Sequence, residues 1–493
     1  MKKYHQYREV PSKLLKTLSE RVLASPYRQY FHVEGNMGYI NDPNGVCFFD
    51  GKYHLFYQWS PLAYSDDEWF QGWYHLISDD MIVWEDAGIG IQTDTIYETH
   101  GAYSGSALVD NGKMIIFYTG NTRVKNNQRI PYQIIALMDN EGHLSKVTPP
   151  AIIDSPQGYT DHFRDPKIWK GNDGHYYAVI GAQRDNKTGT SLVFESNDVF
   201  EWNMLGEIGT GYTDFGYMWE CPNYFEIDDK GILIFSPQGL EAEGNHYQNI
   251  YQTGYIVGSP ISRESLALTS DQNFVELDRG FDFYAAQVLQ HEGRTILFAW
   301  MGLPETTYPT EEYGYCGCLT MPRELFMIEN KLYQKPLSEL DNYRKKMDHK
   351  RIDFYENGCD KFETGFKANL QIQISNSDRK GKVVLDLAAS KDAVKTTKII
   401  IDYEKAEIIL DRSKSGEGLT SSIYGTKRVI FEGVGEKIDL DIYIDQSSIE
   451  IFVNEGQEVA SSRIFPGEEQ VFTHVTSHSA NTSVDVTYYK LVM

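Results

Sequence analysis

Three short acidic motifs carry the residue types for hydrolytic chemistry: Asn41-Asp-Pro-Asn44, Arg164-Asp-Pro-Lys167 and Glu220-Cys-Pro-Asn223. An isolated Asp-Pro pair reads as a turn, because proline fixes its own φ and pushes the preceding residue into extended geometry. Their phase is what sets these three apart. Asp42 lies 9 residues before Gly51, Asp165 lies 9 before Gly174 and Glu220 lies 11 before Gly231, and each glycine opens a β-rich apolar run. Carboxylates gathered at one point either bind a cation through oxygen ligands or divide the labour of glycoside hydrolysis, one protonated and one ionised. Arg164 beside Asp165 puts a cation where a metal would sit, so hydrolysis is the better reading and neither a metal nor another cofactor is expected. Trp219 and Cys221 form an apolar shoulder for Glu220, the setting that keeps an acid protonated, whereas the amides of Asn41 and Asn44 favour an ionised Asp42.

The elements that must position these acids are legible as a repeat. The runs after Gly51 (KYHLFYQ), Gly112 (KMIIFYTG), Gly174 (HYYAVIGA), Gly231 (ILIFSPQG) and Gly293 (RTILFAWMG) are separated by 61, 62, 57 and 62 residues. A second strand-like run precedes each glycine, so the unit is a hairpin with room for two more strands. Five units over residues 30–335 predict an all-β chain that begins with a five-bladed β-propeller, whose equivalent positions converge on one mouth of a central channel. Residues 1–29 are expected to add an amphipathic helix with Leu14, Leu15, Leu18, Val22 and Leu23 on one face. The basic stretch Tyr343–Arg351 marks a linker, taken as 336–351. Beyond it, alternating runs such as KVVLDLA (382–388), TTKIIIDY (396–403) and IDLDIYID (438–445) predict a β-sandwich over 352–493 that stabilises the propeller or joins copies of the chain.

Composition narrows the function class. In 493 residues, 70 Asp and Glu outweigh 46 Lys and Arg for a net charge of −24, which opposes nucleic acid or an anionic membrane as partner. A hydrophobic content of 41% with no long apolar segment excludes disordered and membrane-spanning classes, and a cytoplasmic protein is expected. The five cysteines lack framework spacing and read as buried single thiols. His32, His75 and His162 are taken as structural hydrogen-bonders, and Trp73 and Trp300 as core aromatics or sugar platforms.

The ordered set Asn41-Asp-Pro-Asn-Gly45, Phe56-Tyr-Gln-Trp59, Tyr103-Ser-Gly-Ser106, Tyr118-Thr-Gly-Asn121, Phe163-Arg-Asp-Pro166, Trp219-Glu-Cys-Pro222, Asp282-Phe-Tyr284 and Met321-Pro-Arg-Glu324 resembles glycoside hydrolase family 32, the β-fructofuranosidases. In the second domain, Ser447–Asn454 and Ser462–Phe465 fit the same family. The resemblance implies a propeller with an appended sandwich and a retaining hydrolysis in which Asp42 is the nucleophile, Glu220 the acid and base, and Asp165 the holder of the fructosyl hydroxyls. It also implies that Asn41, Gln58, Trp69, Tyr103, Ser104 and Arg164 shape the fructose pocket. Two departures, Tyr39 and Tyr74 where the family usually has Trp and Gly, lie beside that pocket and bear on the leaving group. The implied substrate is sucrose 6-phosphate or sucrose, with short fructo-oligosaccharides such as kestose as the alternative. Arg123, Lys125 and Arg129 put three cations into seven residues after Asn121 and are the candidates for phosphate contact.

Overall fold

The computed structural model describes residues 6–65, 70–124, 127–269, 273–416 and 425–493. Trp69 and Lys125 lie outside the described residues. The chain forms a five-bladed β-propeller followed by a β-sandwich, as the repeat implied. The first strands of the blades are Gly38–Phe49, Ala102–Asp110, Tyr159–Lys170, Met218–Ile227 and Tyr284–His291. Each touches the first strand of the next blade and the fifth touches the first, so together they line a closed central channel. Tyr315–Cys316 pairs in parallel with Gly38 and Tyr39, tying the end of the ring to its beginning.

Turn chemistry explains the regular period. Gly51, Gly112, Gly174 and Gly293 sit at hairpin turns with φ of 78°, 70°, 87° and 75°, a region glycine enters without steric cost. The fourth blade differs. Ile227 pairs with Lys230 around Asp228, whose own φ is 54°, and Gly231 lies inside the following strand opposite Glu226. The glycine there marks a close approach, since a Cβ would stand 2.9 Å from the Ser259 carbonyl oxygen.

The sandwich consists of two six-stranded sheets, and its core is built from alternating residues such as Leu370, Leu385, Ile399, Ile442 and Ile451. The stretch read as a linker is structured: Arg344–Phe354 is an edge strand paired with Thr482–Leu491. Lys345, Lys346 and Arg351 project to solvent from this sheet edge, which suits an edge that must not pair with another chain. In the N-terminal extension the helix is Ser12–Leu23. Leu18 and Val22 are buried there, but Leu23 is 75% exposed because it stands one residue, about 100°, beyond the buried face. No helix among the described residues is long and apolar enough to cross a membrane. Four of the five cysteines are buried thiols; Cys359, on the edge strand Gly358–Glu363, is exposed.

The two domains meet through apolar contact and buried charge. Tyr443, Phe452 and Val459 of the sandwich pack with Phe31, Leu289 and Phe298 of the propeller. Arg323 holds Asp278 at 3.1 Å and Glu450 at 2.6 Å, and His32 bridges Asp445 at 2.8 Å and Glu450 at 2.9 Å, all fully buried. His32 is thus structural.

Candidate active site

At one mouth of the channel the first strands break their ladders, each at the same place. Asn41-Asp42, Tyr103-Ser104, Asp165-Pro166, Cys221-Pro222 and Ala285-Ala286 are pairs of residues left out of register between hydrogen-bonded neighbours. A bulge of this kind re-aims side chains, here towards the axis. Asp165, Cys221 and Ala285 accept φ of 67°, 47° and 54°, the strained left-handed region for non-glycine residues. Aligned by these bulges, the acids are not equivalent. Asp42 is the second bulge residue of the first blade and Asp165 the first of the third. Glu220 precedes the bulge of the fourth, so its counterparts in the flanking blades are Arg164 and Tyr284.

Those counterparts hold Glu220. Arg164 donates Nε and Nη2 to its Oε1 at 2.9 and 2.7 Å, while Tyr284 Oη and Gln238 Nε2 donate to Oε2, each at 2.6 Å. The apolar shoulder expected from Trp219 is absent: that ring is buried against Phe235 and donates to the Phe215 carbonyl oxygen. Asp42 Oδ2 accepts from the Ser104 hydroxyl and, at 3.5 Å, from the Cys221 thiol, while Oδ1 accepts from Asn41 at 3.1 Å. Asn41 also donates to Gln58, which fixes its amide. Asn44 serves the backbone instead, donating to the Asp42 carbonyl oxygen and accepting from Gly105 N–H. Nor does the amide shell keep Asp42 in the ordinary range: burial pushes it up to about 6, opposed by the Ser104 hydrogen bond and reinforced by the Glu220 charge. Asp165, 5% exposed, accepts from Cys221 N–H at 3.0 Å. Burial lifts it to about 7, with Arg164 opposing and the other two acids adding to the rise. Asp42 and Asp165 thus both stand above the usual carboxylate range at this cavity.

Asp42, Asp165, Glu220, Asn41, Gln58, Tyr103, Ser104 and Arg164 line one cavity of about 220 Å³. Gln71, Gln238, Tyr284 and Pro304 join them unforeseen. Tyr284 was available as the fifth-blade counterpart in the repeat, whereas Gln238 and Gln71 follow no pattern. Tyr39 and Trp300 also line the cavity, and Trp300 Nε1 has no hydrogen-bond partner among the described residues. Trp73 is core, donating to the Tyr103 carbonyl oxygen at 3.2 Å. His75 hydrogen-bonds His54 at 2.9 Å, and burial lowers it to about 3. His162 contacts Arg164 Nη1 at 3.1 Å and is held near 4 by burial and by the neighbouring guanidinium groups. Arg129 and Arg123 are not on the cavity wall, but the Arg129 guanidinium lies 5.8 Å from the Tyr103 ring centre and its Nε is buried without a hydrogen-bond partner among the described residues. Arg123 donates to the Asn127 carbonyl oxygen at 3.4 Å.

Residues 32–336 match the glycosyl hydrolases family 32 N-terminal domain, and residues 339–490 match the family 32 C-terminal domain. The chain is 37% identical to the sucrose-6-phosphate hydrolase of Staphylococcus xylosus, over 99% of this chain and 97% of that one. It is 36% identical to the sucrose-6-phosphate hydrolase of Bacillus subtilis, over 92% and 93%. Among solved structures, the sucrose-6-phosphate hydrolase of Lactobacillus gasseri superposes with a TM-score of 0.88 at 32% identity, covering 99% of this chain and 98% of that one. The β-fructofuranosidase of Bombyx mori superposes at 0.82 and 31% identity, covering 98% and 99%. With both domains matched in order, the chain belongs to glycoside hydrolase family 32.

Proposed function

We propose that the protein releases fructose from sucrose 6-phosphate by double displacement, with Asp42 as nucleophile and Glu220 as acid and then base. The observation that carries the reading is the division of the cavity between two differently held carboxyls. Ser104 and Asn41 fix Asp42 by one donor on each oxygen, while Arg164 and Tyr284 from the neighbouring blades and Gln238 from the next strand of the same blade fix Glu220. The Asp42 carboxylate attacks the anomeric carbon of the fructosyl unit while Glu220 passes a proton to the departing glycosidic oxygen. Glu220 then takes a proton from water as the water attacks the fructosyl–Asp42 ester. Asp165 has one oxygen engaged by Cys221 N–H, and its Oδ1 has no protein donor among the described residues. That oxygen is free to accept from ring hydroxyls, whose acidity grows as positive charge develops on the sugar, so the contact favours the transition state.

The substrate assignment rests on the relatives named sucrose-6-phosphate hydrolases, at 33–37% identity, and on Arg129 beside Tyr103 at the cavity rim. A buried guanidinium edge without a partner suits a phosphate dianion, which gains most from charge-assisted, bidentate hydrogen bonds. Arg123 is near enough that its charge helps lower the pKa of Arg129, so the two guanidinium groups act on the same volume. A phosphorylated disaccharide does not cross a bilayer unaided, and on that ground we place the enzyme in the cytoplasm. The test compares kcat/KM for sucrose 6-phosphate, sucrose and kestose in the parent and in Arg129→Ala. The expected result is a loss of about tenfold or more for the phosphorylated sugar alone, the size of one charge-assisted contact. Preference for kestose, with no effect of Arg129→Ala on the phosphorylated sugar, would replace this reading with an exo-fructosidase of short fructans.

A further inference from the structure

A second cavity, of about 360 Å³, occupies the central channel and shares no residue with the first. It is lined by later portions of the same five first strands: residues 46–48, 107–109, 167–170, 224–225 and 288–291. Lys167 is the group in it that the hydrolytic reading leaves without a task. It is 9% exposed, and its ammonium donates to the Val288 carbonyl oxygen, reaching from the third blade to the fifth. Among the described residues no carboxylate lies within ion-pair distance of it; the other group that acts on it is the Cys47 thiol. A buried ammonium without a counter-charge costs several kcal/mol, so a chain that keeps one gains whenever an external anion supplies the missing charge. Burial lowers Lys167 to about 8, which leaves it cationic at neutral pH.

The walls define the rest of the ligand. Phe48, stacked on His291 at 4.3 Å between ring centres, lines the cavity with Leu108, Trp169 and Phe225, whose side chains also reach into the packing between blades. Lys170, at the more exposed end, already holds Asp110 at 2.9 Å and does not compete for an anion. An inorganic ion would leave the apolar part of this wall unused, whereas an organic anion meets both the ammonium and that apolar part. We propose that the channel cavity is a binding site for a small organic carboxylate, with its headgroup on the Lys167 ammonium and its apolar body against Phe48, Leu108 and Trp169.

Sodium benzoate is the probe, with benzamide as its neutral isostere and chloride as an anion lacking an apolar body. Saturation-transfer NMR and thermal shift are read on the full chain with fructose at saturation. Benzoate is expected to bind saturably and raise the Tm, and its affinity to fall at least tenfold in Lys167→Met. It should fall similarly in Val109→Trp, which keeps Lys167 and fills the cavity from a position 36% exposed. Absence of saturable benzoate binding, equal effects from benzamide or chloride, displacement by fructose, or unchanged affinity in both variants would each overturn the proposal.

Discussion

Two of the buried charge clusters among the described residues, one between the domains and one at the channel mouth, are balanced differently. Between the domains, Asp278, Asp445 and Glu450 face Arg323 and a His32 whose carboxylate partners raise it to about 9. Asp445 also accepts the backbone N–H groups of Tyr30 and Phe31. Although both are buried, Asp445 and Glu450 are held below the usual carboxylate range by these donors; Asp278 goes the other way, raised by burial. At the channel mouth three carboxyls converge beside one guanidinium that contacts Glu220 and Asp165 but not Asp42, and Asp42 and Asp165 rise to about 6 and 7. A cluster whose charges are nearly all paired fixes a geometry, whereas one short of cations keeps a proton to move and is less stable for it.

The contrast is tested first where it is widest. Glu220→Gln should lower kcat/KM by at least 10²–10⁴-fold, the contribution of general acid catalysis, because the residue serves both steps. Sucrose 6-phosphate should still bind. A variant that kept a tenth of the parent activity would remove Glu220 from the mechanism.

Breaking the interdomain cluster should do the reverse. Arg323→Met leaves Asp278 and Glu450 without their shared cation, a loss of about 3–5 kcal/mol. Chemical denaturation should register it while KM in the folded fraction stays unchanged. Expression of residues 1–340 alone should likewise give insoluble or inactive protein, since it strips the same cation of Glu450 and exposes Leu289 and Phe298.

The two clusters also separate in pH. A folded pKa above the unfolded value gives stability that is complete below the unfolded value and lost as pH rises through the folded one. For His32 that window runs from 6.5 to about 9, and for Asp42 and Asp165 from 3.8 to about 6 and about 7, so above pH 7 His32 dominates. Thermal melts should therefore lose stability between pH 7 and 9, and His32→Gln should flatten that limb alone. The smallest effect expected is a gain: Asp42→Asn removes a buried charge and should raise Tm by about 2–4 °C at pH 7.5 while abolishing activity. An unchanged or lower Tm would mean that Ser104 and Asn41 compensate the charge fully.

The large pattern was legible in the sequence because it rests on turn chemistry and alternation, both local. Gly51, Gly112, Gly174 and Gly293 announce themselves through a conformation that side chains resist. The bulges were not legible. Counting from the turns put Asp42 and Asp165 in one phase, yet the ladders set them one residue apart, because register depends on partners distant in sequence. For the same reason the partners of Glu220 were misjudged: Trp219 is adjacent in sequence but turned into the core, while Gln238 and Tyr284 arrive from other strands. The stretch Arg344–Phe354 looked like a linker because an outer edge strand is composed much as a linker is.

The direct test of the two-carboxylate mechanism is the anomeric configuration of the first fructose released, followed by NMR faster than mutarotation. Double displacement through Asp42 predicts β-fructofuranose first, with the configuration of the substrate retained. Appearance of the α anomer first would contradict the account, since water would then have attacked the anomeric carbon directly and Asp42 could not be the nucleophile.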